Sequence, residues 1–472
     1  MRRTSRIMAT QFLSGGKAKR GPGWLRRSVA TATAVALSLA LALPAHAQGR
    51  VAVVRDAEIE TLLKDYANPI FKAAGLKTSR VQIVLVNDPS FNAFVDGQRM
   101  FINTGALADS TVPNEIIGVI AHEAGHLAGG HQQRLREQIA TAQTLSIVGS
   151  LLGIGALAAG SISGSDTGAQ AGGALITATP TLAQRNLLSY RRSEEMNADQ
   201  AAARYLNATG QSMQGMLTTF QRFSRSLSLS GVQVDPYQIS HPLPRERIAL
   251  LEELARKSKH FDARDPAALN ERHQLMRAKI AAYTGGAQAV VRMFSADRGS
   301  LAARYGEAIA TDLSGNSAAS LQKLDALIRE QPNNAYFHEF RGEVLLKLRR
   351  SDEAIKAFGQ ALKLDRSKSP LIRARLGFAL VASGQPGNMN RAIEELRVAL
   401  QAEPDNFNAY RHLSQAYGQA GDIANAELAM AEGNFRAGNR REARAFAARA
   451  LQKLPKGSPG SIRANDILTI GN

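Results

Sequence analysis

His122-Glu123-Ala124-Gly125-His126 is the segment of this chain whose residue types and spacing most directly imply chemistry. On a helix, a four-residue interval puts both imidazoles on one face, about one turn apart, where they can share a metal ion. The glutamate beside the first histidine is then placed to take a proton from water held at that ion. A tetrahedral catalytic site needs a third protein ligand and an open position. One spacing pattern would use a third histidine ten residues after the first. Gly129 fits that pattern, but position ten is Gln132 and His131 comes one place early. The other route draws a glutamate from a later helix, and residues 193–199 (SEEMNAD) offer one. Glu195 and Asp199 share a helical face, so Glu195 can ligate while Asp199 fixes the tautomer of a ligand histidine. Glu194 is rotated about 100° away and is the weaker ligand. His131 reads as a structural or surface histidine.

The chain has no cysteine, which excludes thiolate metal sites, disulfides and cysteine nucleophiles. Any metal site must therefore be built from histidine and carboxylate.

The surrounding elements read as an α/β unit. Residues 54–74 carry apolar residues at helical spacing, and 81–86 (VQIVLV) form a β-branched strand. Residues 91–95 and Arg99–Asn103 flank Asp96-Gly97, a hairpin turn signal. Arg99–Asn103 is expected to be the edge strand that aligns an extended peptide. Pro113 opens the helix of the paired histidines. The uncharged run 144–160 continues into a Gly/Ser/Ala-rich stretch to about residue 173. It can be read as a membrane span, as a helix packed within the domain, or as an apolar flap giving peripheral membrane contact through 144–173.

From about residue 301 the pattern becomes periodic. Pro332, Pro370 and Pro404 are spaced by 38 and 34 residues, and Gly342, Ala354, Phe358 and Ala361 fall at the small and aromatic positions of a tetratricopeptide unit. Later units repeat the phase through Gly377 and Ala392, Gly421 and Ala426, and Gly438 and Ala443. Small residues let paired helices approach closely, and stacked pairs make a solenoid. The fold class expected is an α+β zincin-type metalloprotease domain followed by an all-α tetratricopeptide-repeat solenoid.

The formal charge of +18 is inflated by residues 1–47, which hold eight Lys or Arg and no acid. The remaining basic residues are scattered along helices without an aromatic-interleaved patch, which argues against nucleic-acid binding. Arg26-Arg27, the apolar run 29–43 and Ala45-His46-Ala47 read together as a cleaved export signal, so the mature chain is expected in the periplasm. The expected organisation is a signal peptide (1–47), a zinc metalloprotease domain (48–260), linker helices (261–300) and repeats (301–472).

Three stretches, AHEAGHLAGGH (121–131), EMNAD (195–199) and HPLPRER (241–247), resemble the HtpX-related family of zinc peptidases. With the export signal and the repeats, the whole chain resembles the BepA/YfgC-type periplasmic metalloproteases. The resemblance implies Zn2+ bound by His122, His126 and Glu195, with Glu123 as general base. It also implies His241 as a regulatory fourth ligand, Arg247 as a stabiliser of the tetrahedral intermediate, and outer-membrane β-barrel proteins and their assembly machinery as partners. Met-Asn replaces more acidic residues between Glu195 and Ala198, a modest departure. The rival readings are a periplasmic chaperone or scaffold with a latent metal site and an integral-membrane protease anchored through 144–160.

Overall fold

The computed structural model describes residues 52–163, 166–230, 241 and 245–470. The expected export signal and Pro242 lie outside the described residues.

Four strands form one sheet: β1 (Val53–Val54), β2 (Gln82–Val86), β3 (Ala93–Asp96) and β4 (Arg99–Asn103), in the order β1-β2-β4-β3. β2 and β4 run parallel, with Val84 opposite Phe101, while β3 returns antiparallel to β4, with Ala93 opposite Ile102. Alternation decides the faces. Met100 and Ile102 enter the core at 0% exposure, while Phe101 stacks on Phe94 on the other side. Because β4 is paired on both sides, it is not the edge strand expected of it. Among the described residues that edge belongs to β3, whose outer side carries no ladder.

The helices that follow the first strand are α1 (Ala57–Ala73), α2 (Thr104–Asp109) and α3 (Pro113–Gly129). Two long helices come next, α4 (His131–Ser163) and α5 (Asp166–Ala208), then α6 (Gln214–Ser230), α7 (Arg245–Lys257) and α8 (Ala267–Met293). Helix α3 starts on Pro113, whose missing N–H costs nothing in the first turn, and stops at Gly130 in the left-handed conformation (φ 65°). Its Ile116, Ile117, Val119 and Ile120 are fully buried against α1, α6 and the sheet.

The uncharged run at 144–160 is neither packed into this core nor a loop. It is the outer part of α4, which pairs with α5 as a helical hairpin and touches little else except α3 at its root.

Ten repeat helices follow in pairs: α9 (Leu301–Leu313) and α10 (Ser317–Glu330), α11 (Ala335–Lys347) and α12 (Ser351–Leu364), α13 (Pro370–Ala382) and α14 (Met389–Ala402), α15 (Phe407–Gln419) and α16 (Ile423–Arg436), α17 (Arg440–Leu451) and α18 (Pro459–Thr469). The small positions do what the repeat requires: a Cβ on Gly342 would lie 2.7 Å from the Phe358 ring. The stretch expected as linker helices holds α8, two helical segments that meet at a non-helical Gly286 (φ 62°), and its residues belong to two cores. Met276 and Ile280 pack into the sheet domain, and Leu275 and Ala278 into the repeats. Buried Lys279 fixes the junction, reaching Asp56 at 2.7 Å and Glu58 at 3.1 Å, while Tyr305 donates to Glu58 at 3.0 Å.

Candidate metal centre

Helix α3 delivers His122, Glu123 and His126, and α5 delivers Glu195 and Asp199. The two helices meet where α3 carries Gly125: a Cβ there would stand 2.9 Å from the Ala198 carbonyl oxygen. The glycine inside the five-residue motif is therefore what lets Glu195 reach the histidines.

His122 Nε2 lies 3.1 Å from His126 Nε2 and 3.3 Å from Glu195 Oε2. His126 Nε2 lies 3.5 Å from Glu195 Oε1. His241 brings Nδ1 to 3.3 Å from His122 Nε2 and 3.1 Å from Glu195 Oε2. All four residues are buried, and their ligand atoms lie within 4.8 Å of one another. A tetrahedron with metal–ligand bonds of about 2.0–2.1 Å has edges of roughly 3.3–3.4 Å. The spacings and the donor chemistry both fit a divalent cation.

Electrostatics points the same way. Burial disfavours a charged His122, but hydrogen bonds to Asp199 and Glu195 outweigh it and push the imidazole up to about 9. Burial and the neighbouring His122 push His126 down. Burial would raise Glu195, yet His241 and His122 hold it well below the usual carboxylate range. A carboxylate and imidazoles crowded this way favour one positive charge at their centre. Glu123 is different: burial pushes its carboxyl up, and neither oxygen has a hydrogen-bond partner. Its Oε1 stands 3.4 Å from His241 Nε2.

Residues 54–255 match the model of peptidase family M48. This is an M48 metalloprotease domain. Residues 335–368 match a tetratricopeptide repeat. The chain is 25% identical over 385 residues to a β-barrel assembly-enhancing protease of Yersinia pestis, covering 78% of this chain and 75% of that one. It is 22% identical over 419 residues to the protein of that name in Escherichia coli K12, covering 87% and 82%. A solved MamA structure aligns with 35% of this chain and 93% of its own, at 20% identity and a TM-score of 0.30.

The M48 domain surrounds its metal group with a second layer. Asp199 Oδ1 sits 2.9 Å from His122 Nδ1. Arg247 is buried beside it. Its Nε and Nη2 donate to both Asp199 oxygens at 2.7 and 2.8 Å, and its Nη1 lies 2.9 Å from Glu195. That geometry directs the guanidinium fork of Arg247 onto two carboxylates.

His131 and Glu194 are the residues that the spacing argument undervalued. His131 Nδ1 lies 2.9 Å from His126 Nδ1, and its Nε2 lies 2.9 Å from Glu194, which Arg134 also reaches at 2.9 Å. Each α3 histidine is thus backed by a carboxylate, Asp199 directly for His122 and Glu194 through His131 for His126. The signal was present in the sequence: His131 follows His126 at five residues across Gly130, and Glu194 adjoins Glu195.

Proposed function

We propose that this M48 protein is a zinc endopeptidase of the bacterial periplasm that acts on outer-membrane β-barrel proteins, with its activity held in check by His241. The observation that carries the reading is the convergence of His122, His126 and Glu195 beside a buried Glu123 whose oxygens are free of hydrogen bonds. Zinc, when bound there, supplies Lewis acidity, acidifying water and polarising a peptide carbonyl. Glu123 takes a proton from the attacking water at its carboxylate and returns it to the leaving amine nitrogen. Its raised proton affinity suits a group that must both accept and donate near neutral pH. Asp199, His131 and Glu194 orient the ligand imidazoles, and Arg247 locks Asp199 and Glu195. The unpaired side of β3, which packs on α3, is the edge that aligns an extended substrate strand.

The client class rests on the similarity to β-barrel assembly-enhancing proteases, and the periplasmic location on the export-type N-terminus. Replacing Glu123 by Gln is expected to keep zinc at one per chain by elemental analysis. Made in a His241→Ala background, it should lower casein cleavage by about 10²–10⁴-fold. A Glu123→Gln protein that still turns over casein would remove the mechanism.

A second reading, a chaperone or scaffold with a latent metal site, is favoured by one observation. His241 Nδ1 sits among the other ligand atoms, where a substrate or water would have to bind. If His241→Ala cleaves casein and the wild type does not, the protein is a gated protease. If both are inert while zinc is bound, the scaffold reading stands.

A further inference from the structure

We propose that the α4–α5 hairpin inserts tip-first into an anionic lipid bilayer and seats the metal site at its surface. The inference goes beyond the proposed function and does not depend on which metal the site holds. Between residues 144 and 184 the chain carries one charged residue, Asp166, which opens α5. Helix α4 from residue 144 to its end at Ser163 spans about 30 Å at 1.5 Å per residue, the thickness of a bilayer's hydrocarbon core.

In the segment His131–Leu157, only 11% of the apolar window is buried. Leu145, Ile147, Val148, Leu151, Leu152 and Ile154 are each about half exposed or more. At 100° per residue they sweep roughly half of the helix circumference. The opposite side holds buried Gly149 and Gly153 at the four-residue interval that lets helices pack closely in lipid. Leu182 and Leu188 of α5 are exposed as well, so both members of the hairpin present leucine outward. Exposed apolar side chains on both helices, set within a run almost free of charge, match a lipid environment better than a single protein groove.

Charge complementarity identifies the kind of lipid. Where the uncharged run meets the protein, Arg185, Arg192, Arg134 and Arg136 are exposed around the root of the hairpin. Arg134 pairs with Glu194 and Arg136 with Asp96, yet their side chains remain 49% and 69% exposed. Arginines at this level face the phosphates of an anionic leaflet. The roots are also the metal site's own supports, His131 opening α4 and Glu194 standing beside Glu195. Insertion therefore holds the catalytic groups at the membrane face.

The absence of cysteine makes the test direct, because Leu152→Cys gives the full chain a single labelling site. An environment-sensitive fluorophore there is compared with the same label at Leu313→Cys on α9, an exposed repeat position. Both proteins share the apolar N-terminal segment, so the comparison isolates the hairpin. On phosphatidylethanolamine–phosphatidylglycerol vesicles the Leu152 probe is expected to shift to the blue. It should be quenched more by bilayer-centre than by headgroup quenchers, while the Leu313 probe stays unchanged. Arg185→Glu or Arg192→Glu is expected to weaken vesicle affinity roughly fivefold each at low salt. A Leu152 probe that keeps its aqueous emission on bound vesicles overturns the proposal. A concentration-dependent blue shift without lipid, unaltered by vesicles, also overturns it, in favour of a second copy of the chain.

Discussion

Helix α5 keeps Glu195 and Asp199 at 6% and 0% exposure, yet leaves Leu182 and Leu188 at 56% and 48%. The usual assignment of charge to water and leucine to the core is inverted along one element. At the inner end, every carboxylate oxygen has a partner that offsets its lost hydration. Asp199 meets His122 and Arg247, and Glu195 meets His122, His126, His241 and Arg247. At the outer end no protein element covers the leucines among the described residues. For these carboxylates, burial follows the supply of partners rather than the polarity of the residue.

The sharpest way to break that comparison is to remove the partner common to both carboxylates. Arg247→Met keeps much of the volume but leaves Asp199 and Glu195 short of a cation. It is expected to cost about 3–5 kcal/mol in urea unfolding. Wild-type stability in that variant would mean that the carboxylates do not depend on the arginine.

A slightly smaller effect is expected from another buried polar group of the same core. His273 is fully buried, with Nε2 2.7 Å from the Ser110 carbonyl and Nδ1 2.9 Å from Tyr66 Oη. Burial lowers its imidazole from 6.5 to about 4. Between those values the unfolded chain binds a proton that the folded chain refuses. Stability should therefore fall by about 3 kcal/mol as pH drops from 6.5 to 4, with no further loss from this group below that. His273→Gln should lose that portion of the pH slope, measured as the difference between the two proteins' urea midpoints across the range.

The outer hairpin should be nearly silent in the same assay. Leu151 is 63% exposed, and Leu151→Gln is expected to change stability in detergent-free buffer by less than about 0.5 kcal/mol. A loss of several kcal/mol would show that the hairpin's apolar side is part of the folded core after all.

Much of the site was legible before the structure. The i, i+4 pairs His122/His126 and Glu195/Asp199 announce shared faces because helical periodicity is local. Asp199 stands 2.9 Å from His122. Arg247 was legible as a site residue but not its partner, since nothing in its neighbouring sequence says that Asp199, 48 residues away, accepts two of its hydrogen bonds. His131 was set aside because one residue of misplacement spoils it as a ligand. The same offset, taken around the left-handed turn at Gly130, makes it a support for His126.

By itself the sequence determined the local periodicities: the motif helix, the carboxylate pair, the phase of the repeats and the apolar run without charge. Those are properties of one segment at a time, set by 3.6 residues per turn and by side-chain volume. Only the tertiary structure decided that β3 rather than β4 carries the free edge. It also decided that α8 serves two cores, that Arg247 clamps carboxylates and that the apolar run stands outside the fold. Each of these depends on which distant segment lies alongside, and partner choice is settled by packing across the chain rather than by any local pattern.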